Sequence, residues 1–161
     1  MEEKKYVTEW ANENLGLTLK ITNMVHEEQT PFQHIEIADT LEYGRLLILD
    51  GVFQTSVKDE WTYHEMISHV PLMLHPHPER VLIIGGGDGG VAREVCRHHC
   101  VTHVDLCDID GRVIELSKEY FPTISKVLRN PPEKLHVHVG DGIAFARNVK
   151  DFYQDKTWTY Q

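Results

Sequence analysis

The sequence predicts an α/β protein in two parts: a small antiparallel β domain over residues 1–59 and, over residues 60–161, an incomplete doubly wound parallel sheet. Three observations carry this prediction. Apolar and polar residues alternate before residue 59, the period turns helical near Asp59, and the apolar run Val81-Leu82-Ile83-Ile84 empties into Gly85-Gly86-Gly87-Asp88-Gly89-Gly90.

Leu17, Leu19 and Ile21 alternate with polar neighbours, as do Ile35 and Ile37. Arg45-Leu46-Leu47-Ile48-Leu49 then runs into Asp50-Gly51, a two-residue hairpin signal, so this segment is a set of antiparallel strands. Tyr63, Met66, Ile67 and Val70 fall at i, i+3, i+4 and i+7, one face of a helix that Pro71 should limit. Val81 to Ile84 has the unbroken apolar character of a parallel strand buried on both faces. Val91 and Val95 begin a helix, and His103 to Asp108 is a second strand. Val113 to Phe121 is a helix with Leu116 and Tyr120 on the face of Val113. Leu135 to Val139 is a third strand, ahead of a short helix from Gly142 to about Val149. Pro122 and Pro131-Pro132 punctuate the gap before that strand. Strands separated by helices require parallel crossovers and place a ligand at the carboxyl ends of the strands. With three such strands, the first is expected to stand as a bare apolar edge. The closing aromatic segment, Asp151 to Gln161, is expected to pack rather than complete a fourth strand.

Sixteen Lys and Arg against 25 Asp and Glu give a net charge of −9, which repels nucleic-acid backbones and favours small cations, so nucleic acid is not an expected partner. No apolar stretch of signal-peptide length opens the chain, and nowhere do eighteen apolar residues run together; the expectation is a cytoplasmic protein without membrane insertion. Cys96, Cys100 and Cys107 lack Cys-x-x-Cys spacing and are expected as buried or idle thiols. Among the histidines, His75-x-His77 is split by Pro76, His136-x-His138 lies on one strand face, and His98-His99 closes a helix. None of these groups supplies three or four converging zinc ligands, so no metal site is expected, and His98 and His99 suit a helix C-terminus as positive charges.

Gly85-x-Gly87-x-x-Gly90 follows a strand, opens a helix and has an acid, Asp108, at the end of the second strand, the arrangement of a nucleoside-binding turn. The plainer alternative is a glycine turn serving only tight strand-to-helix geometry. Asp108 offers two acceptor oxygens to the two hydroxyls of a ribose. Asp88, inside the loop, would face a diphosphate as a like charge, a repulsion of roughly 4 kcal/mol at ~4 Å, so a dinucleotide is disfavoured. An adenosine carrying a cation, a sulfonium or alkylammonium, is favoured instead; helix capping is the alternative role for Asp88. Asp141-Gly142 after the third strand fits an adenine-amino acceptor and a helix cap equally. Ile109 fits either an adenine face or a buried strand end.

With these residues assembled, the chain resembles the spermidine synthases, the polyamine-forming aminopropyltransferases. The resemblance is carried by Gln29-Thr30-Pro31-Phe32-Gln33-His34 through Leu49-Asp50-Gly51-Val52, by Asp59-Glu60-Trp61-Thr62-Tyr63-His64-Glu65-Met66, by Val81 through Gly90, by Asp108-Ile109-Asp110 and by Gly140-Asp141-Gly142. It implies a β-rich N-terminal domain, a Rossmann-like methyltransferase-type domain, a homo-oligomer, and no prosthetic group. The implied co-substrate is decarboxylated S-adenosylmethionine and the implied acceptor is putrescine. By matching positions, it implies that Gln33, Asp108, Ile109, Asp141 and Gly142 hold the nucleoside, that Tyr63 lines a diamine channel, and that His64 and Asp88 contact the amines.

One departure bears on activity. The family's catalytic aspartate ends the fourth strand in an Asp-Ser-rich motif and is expected beyond Gln161, so no catalytic residue is assigned within the chain. An amine with a pKa of ~10.4 is protonated at neutral pH, and lacking an acceptor for that proton is expected to cost on the order of 10²–10⁴ in rate. The opening Tyr6-Val7-Thr8-Glu9-Trp10 also departs from the family's tryptophan-first segment. Two other readings stand beside this one: a methyltransferase using S-adenosylmethionine itself, and a non-catalytic paralogue that binds nucleoside or pairs with an intact synthase through its open sheet edge.

Overall fold

The computed structural model describes residues 5–152, and they divide into two compact units that meet in sequence between Glu60 and Trp61. The first is a five-stranded antiparallel sheet in the order β1-β2-β3-β4-β5: β1 Tyr6–Asn12, β2 Leu15–Gln29, β3 His34–Thr40, β4 Gly44–Leu49 and β5 Val52–Ser56. Alternation sets its register. Val7, Ile21, Ala38, Leu46 and Ile48 pack together in one core cluster. The β4–β5 hairpin turns on Asp50 and Gly51, whose φ values of 50° and 78° are the left-handed pair that Asp-Gly supplies at least cost. β2 is long because it pairs β1 with its first half and β3 with its second, bending through irregularities near Ile21 and Met24.

The second unit is built on β6 Arg80–Ile84, β7 His103–Asp108 and β8 Leu135–Val139, parallel and in that order. The pairs Val81↔Val104 and Val104↔Leu135 fix the register. Around them lie α1 Glu60–Leu74, α2 Gly90–Cys96, α3 Gly111–Tyr120, the one-turn α4 Lys126–Arg129 and α5 Gly142–Phe152. Val81, Ile83, Val95, Val104, Leu106 and Ile114 form the heart of its core. Among the described residues β6 is bonded only to β7, so the expected bare edge is present, with Val81, Leu82 and Ile83 nonetheless buried. Residues 153–161, which hold most of the closing aromatic segment, lie outside the described residues.

Two expectations for α1 are corrected. The apolar row Tyr63, Met66, Ile67 and Val70 faces outward, at 59%, 63%, 38% and 43% exposure, while His64, Ser68 and Leu72 are buried. Close packing on α2 selects that face: the Ser68 hydroxyl donates to the Val91 carbonyl at 3.4 Å, and His64 lies against Gly90. Pro71 does not end the helix either. It sits inside the last turn, and its own carbonyl accepts from His75 N–H at 3.0 Å, so the helix runs on to Leu74.

Candidate functional site

The carboxyl ends of β6, β7 and β8 converge on one rim of the second unit. Gly85 N–H donates to the Cys107 carbonyl and Gly140 N–H to the Asp108 carbonyl, each at 2.8 Å, so the loops after β6 and β8 are tied to β7 at the rim. Gly85, Gly86 and Gly89 take positive φ (78°, 78° and 85°) to fold the loop back into α2.

Asp108 is 8% exposed and its carboxylate is held at both oxygens: Asp110 N–H donates to Oδ1 at 2.9 Å and Gly87 N–H to Oδ2 at 2.8 Å. Gly87 has an ordinary φ; its missing side chain serves approach, because a Cβ there would stand 2.8 Å from Asp108 Oδ2 and 3.0 Å from Val113 Cγ1. Burial pushes the Asp108 carboxyl above the ordinary aspartate value; Asp110 and Asp88 add to this, and the two backbone N–H bonds oppose it.

The N-cap of α2 is Gly89, and Asp88, one residue before it, reaches the helix's first residue with one oxygen. Gly90 N–H donates to its Oδ1 at 2.6 Å, and the same oxygen lies 3.3 Å from His64 Nε2, while Oδ2 has no hydrogen-bond partner among the described residues. His64 is 1% exposed, and Tyr63, beside it, presents an edge-on ring 5.6 Å away.

Asp141 caps α5, accepting at Oδ1 from Ile143 N–H at 2.8 Å and Ala144 N–H at 3.2 Å. Gly142 is buried against Ile84, where a Cβ would come within 2.5 Å of Cγ2, so α5 starts hard against the end of β6. Ile109 stands 47% exposed at the end of β7, free to form a platform rather than buried. The structure therefore brings Asp88, Asp108, Ile109, Asp141 and the glycine loop to one rim, with His64 beneath the loop. Gln33 belongs to the first unit, in the turn between β2 and β3, where its carbonyl accepts from Thr30 N–H at 2.9 Å.

Sequence patterns passed over several polar groups. Glu94 is 3% exposed on α2 and lies against Arg93, Arg97 and His69. Burial pushes its carboxyl up, but the Arg93 and Arg97 hydrogen bonds and charges more than reverse this and hold it below the usual value. Glu65, His69 and Glu94 bring donor atoms within 4.8 Å of one another, but the two guanidiniums already neutralise Glu94. His98 is corrected as a helix-end charge: burial, then the neighbouring His69, Arg97 and Lys134, push its pKa down and favour the neutral ring. Asp105 joins His103 and His138, each Nε2 at 2.9 Å. All three cysteines are free, and only Cys107 is fully buried.

Residues 60–158 match the family model described as "Spermine/spermidine synthase domain", and residues 6–56 match "Spermidine synthase tetramerisation domain". The chain belongs to the spermidine synthase family. Among its relatives are the polyamine aminopropyltransferase of Bacillus subtilis (strain 168), 50% identical over 148 residues, and that of Desulforudis audaxviator (strain MP104C), 48% identical over 145. These matches cover 92% and 90% of this chain but 53% and 52% of the relatives. The crystal structure of spermidine synthase from Thermotoga maritima superposes with a TM-score of 0.84 at 38% identity, covering 89% of this chain and 50% of that one. A spermidine synthase in complex with the transition-state analogue AdoDATO superposes equally well. This member of the spermidine synthase family thus spans about half the length of the curated relatives it matches. Among its described residues no helix is long and apolar enough to cross a membrane.

Proposed function

We propose that this chain carries the nucleoside- and amine-binding part of an aminopropyltransferase site, for decarboxylated S-adenosylmethionine and a diamine such as putrescine. The observation that carries the reading is Asp88: a carboxylate set among glycines at the start of α2, with one oxygen held by the protein and the other unpartnered among the described residues. A nucleoside turn of this shape ordinarily receives phosphate, and a fixed anion there selects a positive ligand instead. Asp108 accepts the ribose hydroxyls, Ile109 lies on the adenine face, and Asp141 and Gly142 border the base. Tyr63 and Asp88 face the amine side, with His64 behind Asp88.

In the reaction, the neutral amine nitrogen attacks the aminopropyl carbon bonded to sulfur. A C–N bond forms, the C–S bond breaks with its electron pair going to sulfur, and methylthioadenosine leaves uncharged. The attacking nitrogen then sheds its proton. The chain's own contribution is placement and charge: carboxylates at the rim concentrate two cationic substrates and hold them in line. The chain spans about half the length of these relatives, so the reading concerns the two binding subsites and assigns the proton acceptor to none of the described residues. The family's tetramerisation domain over residues 6–56 supports assembly as a homo-oligomer.

Calorimetry on the folded chain tests the binding claim. Decarboxylated S-adenosylmethionine and methylthioadenosine should both bind, S-adenosylmethionine more weakly because its carboxylate adds a negative charge, and ADP weakest of all. Tight ADP binding would sink the reading, and preference for S-adenosylmethionine would favour a methyltransferase. The edge of β6, unpaired among the described residues, supports a second reading, association with an intact synthase. A gain in turnover on mixing with a full-length relative, beyond the sum of the separate rates, decides for it.

A further inference from the structure

We infer that the first unit carries a binding site of its own: a cavity lined from β1, β2, β4 and β5 that takes a linear alkyl diamine, with an ammonium on Glu9 and the methylenes on leucine walls. The inference does not rest on the reading of the rim, because every lining residue lies between Glu9 and Asp59, within the first unit. The cavity measures about 210 Å³ and is walled by Leu17, Leu19, Leu46 and Phe53, with Tyr43 beside them. At the ~30 Å³ that a water molecule occupies in the liquid, it has room for about seven water-sized groups, the size of a chain of four or five carbons with a nitrogen at each end. Leu46 is 3% exposed and Leu17 54%, so the cavity runs from the core of the sheet to the surface.

Glu9 is the residue that strand alternation does not account for. Val7 pairs with Leu19 and Glu9 with Leu17, so Glu9 projects from the same face of β1 as Val7, a buried member of the core cluster. A carboxylate on an apolar face needs partners. One oxygen has one: Phe53 N–H donates to Oε2 at 2.9 Å, tying the first strand of the sheet to the last. A neutral amide would make that tie equally well. Oε1 has no hydrogen-bond partner among the described residues, and no Lys, Arg or His is among the residues lining the cavity. Ser56, itself buried, donates its hydroxyl to Asp59 Oδ1 at 2.5 Å and holds a second carboxylate in the lining. Two anions over apolar walls, with no cation in the lining, are complementary to an ammonium on an alkyl chain and repel a carboxylate or phosphate. A diamine offers one ammonium to each carboxylate.

Methyl NMR on the full chain tests this, with 1,5-diaminopentane as the probe and 1,5-pentanediol as its uncharged counterpart. The diamine should shift the methyls of Leu17, Leu19 and Leu46 along one saturable curve, and the diol should bind at least about tenfold more weakly. Glu9→Gln, whose amide oxygen still accepts from Phe53 N–H, should weaken the diamine about tenfold while Tm holds within about 2 °C. Should Glu9→Gln fail to fold, Asp59→Asn, which keeps an acceptor for the Ser56 hydroxyl, is read in the same way. Unshifted leucine methyls, equal curves for diamine and diol, or a Glu9→Gln protein that binds as wild type does would overturn the site. So would leucine methyls that move with protein concentration and not with diamine, because a second copy of the chain then fills the cavity. The Ile109 methyls and the Asp88→Asn variant read the rim separately. Leucine shifts that persist in Asp88→Asn uphold this site whatever the rim binds; leucine shifts lost in Asp88→Asn, or diamine shifts confined to Ile109, overturn it and leave the rim reading standing.

Discussion

Gly87→Ala places one methyl group where the structure has no room for it. The new Cβ would stand 2.8 Å from Asp108 Oδ2, 3.2 Å from Asp108 Cγ and 3.0 Å from Val113 Cγ1. Backbone strain contributes nothing, since the φ of Gly87 is one any residue adopts. The carboxylate has to move, and the 2.8 Å bond from Gly87 N–H is lost from a buried anion. Hydrogen bonds to charged groups contribute about 1.5–3 kcal/mol, so unfolding free energy should fall by about 2 kcal/mol, or roughly 4–8 °C in Tm for a chain of this length. Displacing Asp108 should also weaken methylthioadenosine by about 10- to 100-fold by calorimetry. Gly140→Ala is the thermal control, because a Cβ there meets nothing within 4 Å and Tm should hold within about 1 °C. A Gly87→Ala protein that matches wild type in Tm and in nucleoside affinity would refute the argument that the loop's middle glycine makes way for Asp108.

Other expectations follow from the same geometry. Because burial raises the Asp108 carboxyl, acidification should protonate it earlier than an ordinary aspartate: methylthioadenosine affinity should fall through that range in wild type, and no such step should remain in Asp108→Asn. The stability sign runs the other way, since a folded pKa above the unfolded one makes the folded state gain on protonation, so wild type should gain stability relative to Asp108→Asn as pH drops through it. Glu94→Gln, by chemical denaturation at neutral pH, should cost about 2 kcal/mol, below the ~3–5 expected for breaking a fully buried pair because Arg97 is largely exposed. Its depressed pKa means that this contribution is present above the unfolded pKa and lost as pH falls through the folded one. Iodoacetamide at neutral pH, read by mass spectrometry, should label exposed Cys100 first and Cys107 last, because burial and then Asp108, Asp141 and Asp105 push the Cys107 thiol up.

The parts of this molecule legible in its sequence are those where one local rule decides. Asp50-Gly51 required its hairpin, the run from Val81 to Ile84 required a parallel strand, and the loop required a helix after it. An acid twenty residues past the loop's own aspartate did fall at the end of the neighbouring strand, against Gly87. What stayed hidden depends on contacts between elements. Periodicity gave α1 one apolar face, but the buried face is the one carrying His64 and Ser68, selected by the bare backbone of Gly90 and the Val91 carbonyl. Glu94 carries no sequence signal of burial, because its neutralising partners, Arg93 and Arg97, flank it in sequence as ordinary charges. Asp105 gave no signal until the parallel register set its strand beside His138. For Asp88 the sequence fits both helix contact and ligand binding, and geometry gives its Oδ1 to the helix while leaving Oδ2 unpartnered among the described residues.

The decisive measurement is calorimetry of Asp88→Asn against two ligands that differ in charge. Decarboxylated S-adenosylmethionine should lose about 10- to 100-fold in affinity, while uncharged methylthioadenosine should hold within about twofold, because the substitution keeps shape and removes only the anion. Equal losses for the two ligands, or none for either, would contradict a loop whose carboxylate selects a cationic adenosine.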